Sequence, residues 1–408
     1  MFKKTIKIMM VMLVSVLLIN NMQPSYAATY PVPTRTIYYK SPVMKGEDVK
    51  YVQSGLKKLG YSISVDGKFG SSSKKVTEKF QKDNKLSVDG KFGPATLKKL
   101  QEKLGVTSMV YTQANVVGDI KKSNAYKNYK SFFKKVNFTS SKNFIIPGLN
   151  TSMVPQGMCD AGSYVLISAY DKNGKKNSCI YVINKSTGKL VKSVYLKDSK
   201  SHVGGLAYDG KYVWVANGTD STVSRVALST ITKAKDGASV SFKKYAVKTV
   251  GGYDVRASFV TYSDGLLWIG QFDESKVTYA YGYPVLKSDD KNFKLTAKYR
   301  IKTLSKMQGM AFDKNGKLIL SQSYGRNNSS KIYVYDKPKY TYKDGVYYAN
   351  LPSLKQNITA PPASQNMFVG NDNLLYVLFE SAADYYRNGR DGKGKANTPV
   401  DRVCPISL

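Results

Sequence analysis

Val49, Val52, Leu56 and Leu59 recur at spacings of three, four and three residues, which lays one apolar stripe along one helix. Two more helices are read behind turns: Gly70-Ser71-Ser72-Ser73 opens one through Val76 and Phe80, and Gly93-Pro94-Ala95-Thr96 opens one through Leu97, Leu100 and Leu104. Pro94 suits a first helical turn, where its missing N–H costs nothing. From residue 141 the period changes. Short alternating runs bounded by Gly, Asn and Asp predict strands rather than helices.

Two repeats lie on this pattern. The phrase Val65-Asp66-Gly67-Lys68-Phe69-Gly70 returns 23 positions later as Val88-Asp89-Gly90-Lys91-Phe92-Gly93. The second repeat is longer: a short polar lead, a turn, then a buried strand. Its five copies run from Gln156-Gly157-Met158 to Tyr164–Ile167, Gly204-Gly205-Leu206 to Tyr212–Val215, Ala257-Ser258-Phe259 to Leu266–Ile269, Gln308-Gly309-Met310 to Lys317–Leu320, and Gln365-Asn366-Met367 to Leu374–Val377. Met158, Leu206, Phe259, Met310 and Met367 stand 48, 53, 51 and 57 residues apart. A β-rich repeat of this length predicts propeller blades, which bury their faces by stacking in a ring. Five blades are expected, with six as the alternative, and Phe138–Ile146 is expected to complete the last blade from the N-terminal side.

Gly46, Val49, Gln53, Leu56, Gly60-Tyr61, Asp66-Gly67, Phe69-Gly70, Phe80-Gln81, Leu86, Asp89-Gly90, Gly93, Thr96 and Leu97 together resemble the peptidoglycan-binding domain 1 family. One departure is Ser73 where the second half has Thr96. The resemblance implies a small all-α three-helix fold over residues 43–104 that binds wall glycopeptide in a shallow groove and is not catalytic by itself. It assigns peptidoglycan binding to Asp66, Gly67, Phe69, Gly70, Asp89, Gly90, Phe92 and Gly93. The chain is thus expected to be multidomain: signal peptide 1–27, extended leader 28–42, peptidoglycan-binding domain 43–104, basic linker 105–140 and an all-β propeller 141–408.

Charge and the N-terminus set the compartment. Lys3, Lys4 and Lys7 precede an apolar run from Ile8 to Ile19, and Ser25-Tyr26-Ala27 supplies small residues for cleavage, so export is expected. The formal net charge is +35, and loss of residues 1–27 leaves 60 basic against 28 acidic residues. Such an excess seeks polyanions. For an exported protein in the cell wall these are anionic wall polymers such as teichoic acid rather than nucleic acid. No later run is long enough to span a membrane. Lys121 to Lys135 interleaves lysines with Tyr126, Tyr129, Phe132 and Phe133, which suits a polymer- or membrane-binding helix or one packed on the next domain.

The chemistry is defined partly by what is missing. His202 is the one histidine, too few for a zinc amidase or peptidase site. Cys159, Cys179 and Cys404 stand in no catalytic motif, and Cys404 is a candidate to pair with one of the other two. Gln156, His202, Arg256, Gln308 and Gln365 lead into the buried strands and are read as matching points around one mouth of the channel, able to bond a sugar or a carboxylate. His202 as base and Arg256 as anion clamp are the catalytic candidates. Ser168–Tyr170, Ser321–Arg326 and Glu380–Arg387, aromatic and of both charge signs, are read at the opposite ends of those strands. Asp171–Gly174 and Asp313–Gly316 lack the ligands of a calcium loop and are read as turns, so no metal and no cofactor are expected. The expected role is a secreted, wall-associated binding protein whose propeller takes a second glycan, peptide or protein ligand, with a propeller hydrolase or lyase as the alternative.

Overall fold

In the computed structural model the described residues are 30, 33, 35–104, 111–285 and 293–408. Residues 1–27, read as a signal peptide, lie outside them. The chain divides into two units, Met1–Met109 and Val110–Leu408. Among the described residues no helix is long and apolar enough to cross a membrane.

The first unit is helical: α1 (Glu47–Lys58), α2 (Ser71–Asp83) and α3 (Pro94–Lys103). Val49, Val52 and Leu56 of the α1 stripe are fully buried against Phe69, Phe80, Phe92 and Leu100. The repeated phrase forms the same clamp twice. Gln53 Nε2 donates to Asp66 Oδ1 at 2.8 Å and to the Lys68 carbonyl at 3.0 Å, while its Oε1 accepts the Gly67 N–H at 2.8 Å. Gln81 repeats this with Asp89, Lys91 and Gly90 at 2.8, 2.9 and 2.9 Å. Ser73 and Thr96 occupy equivalent places beside the two glutamines. Gly67 and Gly90 have φ of 75° and 66°, a left-handed backbone that a side chain would strain.

The second unit is a five-bladed propeller, built from five sheets among the described residues. Blade one holds β1 (Met153–Ala161), β2 (Tyr164–Asp171), β3 (Cys179–Asn184) and β4 (Lys189–Leu196), with β8 (Ser239–Val240) parallel on its edge. Blade two holds β5 (Val203–Tyr208), β6 (Tyr212–Asn217), β7 (Thr222–Ala227) and β9 (Lys243–Ala246). Blade three holds β10 (Phe259–Ser263), β11 (Leu266–Gly270), β12 (Tyr279–Pro284), β13 (Tyr299–Lys302), β18 (Val346–Ala349) and β17 (Thr341–Lys343). Blade four holds β14 (Met307–Phe312), β15 (Leu318–Gln322), β16 (Ser330–Tyr335) and β19 (Leu354–Ala360). Blade five holds β20 (Ser364–Val369), β21 (Leu375–Phe379) and β22 (Cys404–Ile406).

In four of the five repeats the polar lead is itself part of the innermost strand, whereas in blade three Ala257 and Ser258 precede β10. β1, β5, β10, β14 and β20 each touch the next, and β20 returns to β1. Glycines permit this closeness. A Cβ on Gly204 would stand 1.9 Å from the Ser258 carbonyl oxygen, and one on Gly157 would stand 2.5 Å from the Gly205 carbonyl carbon. Closure joins both ends of the unit. Val136 bridges Ile406 and Ile145 bridges Arg402, so the segment before blade one supplies the missing edge of blade five. Asp401, fully buried, accepts the Val116 and Val117 N–H groups at 3.1 and 3.0 Å.

Of the two readings of the basic stretch the packed one holds, and the expectation of a cysteine pair changes. Of the stretch read as a linker, residues 120–133 fold as short helices, and Ile120, Phe132, Phe133 and, just beyond them, Val136 are buried in the core shared with blades four and five. An apolar face of that size is stable against the sheets and not in water. The cysteines do not pair: Cys179, Cys159 and Cys404 are free, buried, and belong to three separate apolar clusters.

Candidate functional sites

A groove of about 700 Å³ crosses the helical unit, lined by Pro42, Val43, Lys45, Asp66, Lys68, Gly70 and Ser72. Of the eight residues the resemblance singles out, Asp66 and Gly70 line it. Phe69 and Phe92 are buried core residues, and Gly67, Gly90 and Asp89 belong to the clamps. Gly93 precedes α3 and accepts its Leu97 N–H at 2.9 Å. The Lys68 backbone N–H, then the Gln53 amide, hold the Asp66 carboxyl below the usual carboxylate range. The groove therefore offers an ionised Asp66 together with Lys45 and Lys68.

The propeller's polar residues gather differently from expectation. In an antiparallel hairpin the start of the first strand lies beside the end of the second. Pro155 pairs with Ala169, Met307 with Gln322 and Ser364 with Phe379. The clusters read as lying at opposite ends of the strands are one mouth.

Nor do the five polar residues stand at matching points. Gln156, Gln308 and Gln365 sit at one-residue register shifts in β1, β14 and β20, and blade two has the same shift at Gly204. Such bulges re-aim a side chain. His202 and Arg256 precede β5 and β10 and lie outside the bulge position. Both meet Gly218: its N–H donates to the His202 carbonyl at 2.6 Å, and its carbonyl accepts from Arg256 Nε at 2.8 Å.

The residue at the centre is Glu380, at the end of β21. Gln156 Nε2 donates to its Oε2, and Gln365 bonds it too. Gln308 instead donates to the Ser323 carbonyl at 3.1 Å. Burial raises the Glu380 carboxyl to about 7, against the opposing pull of the glutamines, Lys172 and Arg326. Beside it the Tyr170 and Tyr386 hydroxyls stand 3.2 Å apart, and burial raises both phenols well above their ordinary value. Arg326 pairs with Asp391 and lies 4.5 Å over the Tyr386 ring. His202 packs edge-on to Tyr170 at 4.4 Å, and burial with nearby Lys172 and Arg256 lowers its pKa to about 4. It is neutral near pH 7 and a weak proton acceptor there.

The shaft is closed just below. Asn366, one residue beyond Gln365, donates from Nδ2 to the Val260 carbonyl of blade three at 3.4 Å. A Cβ on Gly205 of blade two would meet that nitrogen at 2.8 Å. One side chain from blade five thus reaches blades two and three.

Asp171 and Asp313 spend their carboxylates on backbone amides of their own turns, Lys175, Lys176 and Asn173 in one case and Asn315 and Lys317 in the other. A separate cleft of about 590 Å³, on the outer rim, is lined by Arg300, Tyr279, Tyr348 and Asp336 among others.

Residues 45–100 match the family model PG_binding_1, described as "Putative peptidoglycan binding domain". The chain thus carries a peptidoglycan-binding domain, as its resemblance implied, followed by the five-bladed propeller. No curated protein matches the chain in sequence. Among solved structures it is similar to hydrazine synthase of Kuenenia stuttgartiensis, at 13% identity and a TM-score of 0.31, over 55% of each chain. It is also similar to a chain of a nidogen/laminin complex, at 9% identity and 0.33, over 56% of this chain and 73% of that one. The Cps50 (Swd1) propeller of Myceliophteria thermophila matches at 8% identity and 0.32, over 65% and 99%. At these scores the likenesses carry no argument about function.

Proposed function

We propose that this protein is exported and docks on peptidoglycan through its helical unit, presenting the propeller mouth to a second glycan, peptide or protein ligand. The observation that carries the reading is the family match over residues 45–100, on a unit whose groove is lined by Asp66 and two lysines. The cationic excess adds attraction to anionic wall polymers such as teichoic acid. That contribution falls with salt, whereas contacts inside the groove persist.

The test is co-sedimentation of the full chain with purified sacculi at low and high salt. A Gly70→Trp variant, which fills the groove where a side chain at residue 70 meets open space, is expected to lose the salt-resistant part of binding. Equal retention of variant and native protein at high salt refutes docking through the groove.

Glu380 favours a second reading, a propeller hydrolase or lyase, because a carboxyl near neutrality beside two phenols suits acid–base work. Soluble muropeptides released from the same sacculi would support it over the binding role. The catalytic candidates His202 and Arg256 would then be tested by alanine substitution.

A further inference from the structure

The mouth has a defined chemical character. Glu380 and Gln308 retain accessible surface, whereas Gln156 and Gln365 are buried and Gln156 spends its amide hydrogens on the Pro155 carbonyl and on Glu380. Two blades add an aromatic shelf: Phe272, after β11, and Tyr324, after β15, lie 6.2 Å apart at 33°, with Lys306 over the Tyr324 ring at 5.6 Å. Amides and a carboxyl bond hydroxyl groups, and aromatic faces cover the C–H faces of a ring; together they suit a sugar.

The charge balance gives the sign of the ligand. Arg326 is matched by Asp391, and Asp384 by Arg387 and Arg390. Glu274 bonds the Tyr324 hydroxyl. Lys172 Nζ lies 3.5 Å from the Tyr170 hydroxyl and over the Tyr386 ring at 5.4 Å, and its acidic neighbours are Glu380 and Asp391, the latter already paired with Arg326. Arg256 is held by a carbonyl.

Resting on the reading that the mouth takes a second ligand, we propose that it binds a carboxylate-bearing sugar unit, with Glu380, held in place by Gln156 and Gln365, bonding its oxygens and Lys172 supplying the opposing charge. The mouth is complementary when Glu380 carries its proton. Protonated Glu380 donates a hydrogen bond to an acidic ligand; ionised Glu380 repels it. Gln156 and Gln365 from blades one and five, Tyr170 and Lys172 after β2, Arg326 after β15, and Tyr386 and Asp391 after β21 are the groups that face this equilibrium.

The test is calorimetric titration of the full chain with trigalacturonate, N-acetylmuramic acid, chitotriose and inorganic phosphate, at about pH 5.5 and about pH 8. Either acidic sugar is expected to bind, and the pair separates a uronate from a lactyl carboxylate. With Glu380 titrating near 7, about one molecule in ten is protonated at pH 8, so affinity is expected to fall about tenfold between the two conditions. Glu380→Gln is expected to bind equally at both, and Lys172→Ala to bind acidic sugars at least about tenfold more weakly. Both variants must melt cooperatively. Equal binding of chitotriose, binding of phosphate alone, or a pH dependence that survives Glu380→Gln overturns the proposal. Chitotriose binding that is lost in mouth variants refutes the acidic ligand and keeps the second-ligand reading. No binding by either acidic sugar overturns the proposal, while sacculus retention that falls in Gln156→Ala keeps the second-ligand reading.

Discussion

Replacing Gln53 or Gln81 by leucine tests whether the paired clamps hold the helical unit together. Leucine nearly conserves the volume, so the cost comes from groups left without partners. In Gln53→Leu the Lys68 carbonyl still accepts the Gly70 N–H at 3.0 Å, and Asp66 still accepts the Lys68 N–H at 2.8 Å. The orphan is the Gly67 N–H, which is buried. An unpaired buried donor costs about 1–3 kcal/mol. Gln81→Leu strands two N–H groups, those of Asp89 and Gly90. It should therefore cost about 1 kcal/mol more, the Asp89 group being only part-buried. For a unit of this size each kcal/mol shifts Tm by about 4–8 °C, so shifts of about 4–24 °C are expected for Gln53→Leu and about 8–32 °C for Gln81→Leu. Scanning calorimetry of the full chain measures the shift, and hydrogen exchange at Gly67 assigns it: that amide should lose protection in Gln53→Leu. A shift under about 2 °C, or the reverse order of the two variants, refutes the reasoning.

Four further outcomes follow from the propeller and the groove. Glu380, ordinarily near 4.5 and held near 7, contributes about 3 kcal/mol that is present below about pH 4.5 and lost as pH rises through about 7, so propeller Tm should fall over that window and stay level in Glu380→Gln. Asp401→Ala strands the Val116 and Val117 amides and the partner Arg402, and should lower propeller Tm by about 5–10 °C in the same calorimetric scan. The three cysteines should resist a thiol reagent in the folded protein and all react on unfolding, since burial raises Cys179 to about 12 and the other two higher. Asp66→Asn keeps its turn but removes the groove's carboxylate, and should change sacculus retention without moving the Tm of the helical unit by more than about 2 °C.

The helical unit was legible because its signals are local: the 3-4-3 stripe, the Asp-Gly turns and Pro94 each act within a few residues. The blades were legible from the spacing of Met158, Leu206, Phe259, Met310 and Met367, which all lie in the inner strands. The closing segment was legible too, with Ile145 and Phe144 meeting Arg402 and Val403. The mouth was read with the wrong geometry. Placing Gln156 against Glu380 needs the register of β20 on β21 and the neighbouring of blades one and five, which are contacts between distant residues. The bulges are invisible for the same reason, since an extra residue shows only against a partner strand. Asn366 gave no signal at all: an asparagine after a glutamine reads as any polar lead.

Asn366 also limits what shape of ligand the propeller can serve. With one amide reaching from blade five to blades two and three, a long polymer has no passage along the axis. It can offer a chain end, a branch or a side group to the mouth, or lie across the rim, but it cannot be threaded. Capture and release share one route, so a ligand leaves only by retracing its entry. A partner on the far face would sense occupancy through movement of the blades and never by touching what they hold.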